Sequence, residues 1–84
     1  MYIVTGPITS AIRLSRAVER FTGTPAAVIH TPSQMNKGGC SYTVKTDMTD
    51  TEALRKIAAD NGVTIKGIYG EKTSGKGREY YDIS

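Results

Sequence analysis

The only cysteine of the chain, Cys40, follows two glycines, Gly38 and Gly39, and precedes Ser41. The only histidine, His30, closes the apolar run before that loop. A thiol in a glycine-bearing loop points to nucleophilic sulfur chemistry. The thiolate is the reactive form, and glycines let backbone N–H groups approach an anion. Lys37 and His30 are the nearby groups that could hold such a thiolate. The alternative is equally concrete: a lone cysteine is most often a small buried hydrophobe with no chemistry. Gly38-Gly39 would then be a simple turn, and His30 a strand-end residue whose ring finds a backbone partner.

Other chemistries are poorly served. One cysteine cannot form an internal disulfide, and one cysteine with one histidine falls short of the ligand set of a structural zinc site. No metal and no cofactor is expected. There is no paired-carboxylate site, no Ser-His-Asp pattern and no Gly-Lys-Ser/Thr phosphate loop.

With 84 residues, 38% hydrophobic and 23% charged, the chain is sized for one ordinary globular domain. The longest apolar runs are only a few residues, so no membrane span is expected. The start, Met1-Tyr2-Ile3-Val4-Thr5, has no basic region and no long apolar core, which places the protein in the cytoplasm. The formal charge is +3. Arg13, Arg16 and Arg20 are interrupted by Glu19, and Arg55-Lys56 by Glu52 and Asp60. These read as solvated helix faces, so a nucleic-acid partner is not expected.

The elements that must position the loop follow in order. Tyr2 to Thr5 is a first strand, broken by Gly6-Pro7. Thr9 or Ser10 is expected to cap a helix whose apolar stripe is Ala11, Leu14, Ser15, Val18 and Phe21, ending at Gly23. Ala26 to His30 is a second strand. The nine-residue connection 31–39 is long enough to be functional. Cys40 to Thr46 forms a third strand. Thr49, with Glu52 reaching back, caps a second helix with the stripe Ala53, Leu54, Ile57, Ala58, ended by Asn61-Gly62. Ile65 to Tyr69 is a fourth strand. The segment 71–84 is a C-terminal extension, flexible at its glycines. Its last residues, 78–83, read equally well as an added strand or a mobile end.

The order β-α-β-β-α-β over residues 1–70 is that of an α+β, ferredoxin-like sandwich, an antiparallel sheet with both helices on one face. In that topology the third strand returns beside the first. The loop with Cys40 then lies near Gly6-Pro7-Ile8-Thr9-Ser10, where the first helix presents free N–H groups and its positive end. Tyr42 and Val44, the bulky residues of the third strand, should face the helices, with Cys40 on the same parity.

The short N-terminal strand, the first amphipathic helix and the run Pro32-Ser33 … Gly38-Gly39-Cys40-Ser41-Tyr42 resemble a family of small bacterial selenium/sulfur (Se/S) carrier protein-like sequences. Gly62-Val63 … Gly67-Ile68-Tyr69 resembles the family's ending. The resemblance covers residues 1 to about 70. It implies a thiol that carries sulfur or selenium as a persulfide or perselenide, on the position of Cys40, with donor and acceptor proteins as partners. Where the family commonly has glycine after the cysteine, this chain has Ser41.

Two other readings compete. A non-catalytic protein-interaction module, such as a homodimer, would use the edges formed by the second and last strands. RNA binding on the open sheet face would need clustered aromatics framed by Lys or Arg, and no such cluster is visible in the sequence.

Overall fold

The elements form where hydrophobic periodicity places them, and their pairing builds one sheet. The computed structural model of the chain describes residues 1–32, 41–75 and 77–83. In these, β1 is Tyr2–Thr5, α1 Ile8–Thr22, β2 Ala27–His30, β3 Tyr42–Lys45, α2 Thr51–Asp60, β4 Gly67–Ser74 and β5 Gly77–Asp82. Every strand pairing is antiparallel, in the order β2-β3-β1-β4-β5. The first four strands thus stand in the ferredoxin-like order, and β5 extends the sheet beyond β4.

The core lies between the sheet and the two helices. Ile3, Val44 and Ile68 on adjacent strands pack with Ala11, Leu14 and Val18 of α1 and with Leu54 and Ala58 of α2. Ile3, Leu14, Val18, Val44, Leu54 and Ile68 are fully buried. Each such aliphatic side chain gains roughly 1.5–3 kcal/mol by leaving water. Tyr42 packs against the same cluster, so Tyr42 and Val44 face the helices as their alternation predicts.

The two helix starts differ from expectation. The N-cap of α1 is Pro7, with no side-chain cap, and Thr9 and Ser10 lie inside the first turn. Proline disfavours helical backbone in the residue before it, so the helix cannot start earlier, and the Pro7 carbonyl accepts its first bonds, from the Ser10 and Ala11 N–H groups. Asp50, not Thr49, caps α2 and accepts the Ala53 N–H at 3.1 Å. Both residues carry a competent oxygen; the register that turns Leu54 and Ala58 inward selects Asp50. Gly23 ends α1 in the left-handed region, as expected, with φ 74° and its N–H on the Glu19 carbonyl.

Other differences concern extent. Val18 is the last core residue of α1, and Phe21, one turn on, is 62% exposed. Periodicity assigns a face but not how far the neighbouring layer reaches. The fourth strand runs to Ser74 because β5 pairs along it, from Tyr69 opposite Asp82 to Ser74 opposite Gly77. The extension therefore folds back as a strand. Glycine is disfavoured in a strand interior unless a close approach requires it. Here the Tyr81 ring lies over Gly70, in the space a Cβ would fill.

Candidate functional site

The stem of the β2–β3 loop is described on both sides, while Lys37, Gly38, Gly39 and Cys40 lie outside the described residues. Continuing the register of β2 on β3, the Thr31 N–H donates to the Ser41 carbonyl at 3.2 Å. The Ser41 hydroxyl donates to Thr31 Oγ1 at 2.7 Å, and Thr31 Oγ1 lies 2.9 Å from Thr43 Oγ1. Ser41 is 7% exposed and Thr43 fully buried. Three hydroxyls thus form a chain on the open face that ties the two ends of the loop together.

The stem is also tied to the end of β1. The Tyr42 N–H donates to the Gly6 carbonyl at 3.3 Å, and Thr5 Oγ1 donates to the Tyr42 carbonyl at 3.1 Å. Gly6 is followed by Pro7 and then by α1. The topology therefore brings the exit of the loop to within two residues of the start of that helix, as the strand order requires. The Pro7 carbonyl accepts the N–H groups of Ser10 and Ala11. The N–H groups of Ile8 and Thr9 have no intrahelical acceptor, and no acidic residue stands in the first turn. Among the described residues no side chain caps this end, and its partial positive charge stands beside the loop stem.

Lys66 adds a full charge. Its N–H donates to the Val4 carbonyl at 2.8 Å, which holds its backbone beside the end of β1. Its Nζ lies 3.7 Å from the point where a Cβ on Gly6 would stand. That is ordinary van der Waals distance, so the ammonium lies against the backbone of Gly6.

The sequence-predicted residues separate as follows. Ser41 belongs to the hydroxyl chain at the loop stem. His30 is exposed at the end of β2, opposite Tyr42, with ring centroids 4.8 Å apart. Ser10 is half-buried in the first turn of α1, while Thr9 is exposed and lines a groove on the helix's outer side.

On this geometry the chain can be set against known proteins. A family model described as "Putative Se/S carrier protein-like" matches residues 1–70. The chain belongs to this family. No curated protein and no solved structure matches it. The family match ends within β4, so the rest of that strand and β5 lie outside it. The described part of this family member contains no helix long and apolar enough to cross a membrane. Among the described residues, no cluster of His, Cys, Asp and Glu could hold a metal ion.

Two features escaped the sequence reading. Lys66 sits in a coil segment far from Cys40 in sequence. Only the pairing of β4 with β1 brings it to the site. The second is on the open face, where Tyr2, Val4, Ile29, Tyr69 and Tyr80 form an apolar cluster across four strands. The Tyr2 and Tyr80 rings meet edge to face at 5.1 Å, and Lys45 Nζ lies 5.8 Å from the Tyr2 centroid. The aromatics thus do cluster, because β5 brings Tyr80 to β4. Tyr2, however, is only 3% exposed. Its hydroxyl donates to the Glu71 carboxylate. Burial, reinforced by that carboxylate, holds the phenol protonated well above its ordinary range. The central ring is packed and hydrogen-bonded, which suits a structural role better than base stacking.

Proposed function

We propose that the chain is a sulfur or selenium carrier in which Cys40 holds the cargo atom as a persulfide or perselenide. The observation that carries this reading is the uncapped start of α1 beside the loop stem, marked by the bond from the Tyr42 N–H to the Gly6 carbonyl. A thiolate one residue before Ser41 would gain from the positive helix end and from the Lys66 ammonium. Both favour the charged form and lower a thiol's pKa.

The chemistry is an exchange without net oxidation. The Cys40 thiolate attacks the outer sulfur of a donor persulfide, a new S–S bond forms, and the donor's own S–S bond breaks. The donor leaves as a thiolate, and the transferred sulfur keeps its proton. The reverse step onto an acceptor thiolate releases the cargo. Family membership supports the carrier role, and the charge at the loop stem supports the ionised sulfur.

The test is mass spectrometry after incubation with glutathione persulfide, alongside the rate of iodoacetamide labelling at neutral pH. One added sulfur on Cys40, absent in Cys40→Ala, is expected. So is a thiol pKa below the free value of about 8.5. An unmodified Cys40 with the slow labelling of a buried thiol overturns the proposal.

A further inference from the structure

The outer side of α1 carries Thr9, Ile12, Arg13, Arg16 and Arg20 along one groove of about 350 Å³. At 3.6 residues per turn, Thr9, Arg13, Arg16 and Arg20 fall within a narrow sector pointing away from the core residues Ala11, Leu14 and Val18. The one acid of the helix does not interrupt this stripe. Glu19 is half-buried and accepts the Ala26 N–H at 3.0 Å. The sequence, read linearly, mixes the charges; the helix sorts them. Among the described residues no carboxylate pairs with these guanidinium groups. Arg13 reaches only the Asn61 carbonyl, at 3.4 Å.

We propose that this face docks a protein surface rich in carboxylates. Three exposed guanidinium groups on one rigid helix offer paired donors that match carboxylates two at a time. Along one flank of this stripe Ile8 and Ile12 are 44% and 38% exposed, apolar side chains left at the surface beside the charges. Arginine with exposed apolar side chains is the composition of a protein interface. A surface for nucleic acid would add aromatic platforms, and this stripe has none.

Placement gives the face a purpose. The stripe starts in the first turn of α1, directly after Gly6, to which the loop stem is bonded. A partner lying along Arg13, Arg16 and Arg20 would meet the loop stem at the helix start. Resting on the carrier reading, the partner is the protein that delivers the cargo atom to Cys40 or removes it.

The test uses fluorescence anisotropy with two labelled probes. One is a helical peptide with glutamates spaced to match the three arginines around a leucine pair. The other is a single-stranded oligothymidine of similar length. The peptide is expected to bind the full chain, and R13E/R16E/R20E to weaken it by about tenfold or more, with rising salt acting likewise. All three positions are exposed, so circular dichroism should stay unchanged. The single variants R13Q, R16Q and R20Q, each with a smaller loss, stand in if the triple variant unfolds. Tighter binding of the oligonucleotide, or peptide binding indifferent to the substitutions, overturns the proposal. Cys40→Ala should bind the peptide normally, so this result stands apart from whether the thiol loads.

Discussion

At the start of α2, the Asp50 carboxylate accepts the Ala53 N–H, and Glu52 stands in the first turn. At the start of α1, Pro7 offers no side chain to the free N–H groups, and the first turn has no acid. The two helices pack on the same face of the same sheet, so burial does not explain the difference. One start is closed by the protein's own charges. The other is left open, and it is the one tied to the loop stem through Gly6 and Tyr42. An anion near α2 would compete with Asp50. An anion near α1 would meet no competing carboxylate in the first turn and would have the Lys66 ammonium nearby.

The largest expected effect tests the closed end. Asp50→Ala should lower unfolding stability by about 0.5–2 kcal/mol, as loss of a helix cap does, measured by urea denaturation. The rate of Cys40 alkylation should not change. A change in alkylation rate would mean that the two helix starts are not electrostatically independent.

Next comes the loop stem. Ser41→Ala removes the donor to Thr31 Oγ1 but leaves the contact between Thr31 and Thr43 intact. The net loss should be roughly 0.5–1.5 kcal/mol. If Ser41 positions its neighbour, the alkylation rate of Cys40 should shift as well. A stability loss without that shift would confine Ser41 to closing the β2–β3 pair. Ser41→Gly is an informative companion that removes the same bond and frees the backbone.

How much of this was readable in advance depended on the range of the interaction. The stripe of α2, the stop at Gly23 and the helix-facing parity of Tyr42 and Val44 come from local periodicity and backbone freedom. They stand in the sequence. The strand order also followed, because two crossovers on one sheet leave few arrangements. The helix caps did not. Thr49 and Asp50 are both competent, and the choice depends on which register buries Leu54. At α1, Thr9 and Ser10 looked like caps until Pro7 set the start. Lys66 and the Tyr2–Tyr80 contact depend on strand pairing across most of the chain. The sorting of Glu19 away from the arginines needed the position of Ala26. Cys40 was found by being the only thiol, and its microenvironment is what the experiments above must report.

The smallest change in stability carries the sharpest test of the open end. Thr9 is exposed in the first turn of α1, and Thr9→Glu places there the charge that α2 already has. An acid at this position should stabilise the helix, by about 0.3–1 kcal/mol at low salt. If the same positive potential lowers the pKa of Cys40, the added carboxylate must raise it and slow alkylation at neutral pH. Stability and reactivity should therefore move in opposite directions, a combination that general damage to the fold cannot produce. Lys66→Met separates the two sources of potential. It should slow alkylation through loss of the ammonium while moving stability by less than about 0.5 kcal/mol, as expected for an exposed side chain. Thr9→Glu that gains stability with no effect on the thiol would show that the α1 field does not reach Cys40, and the carrier reading would then have to rest on Lys66 and the loop alone.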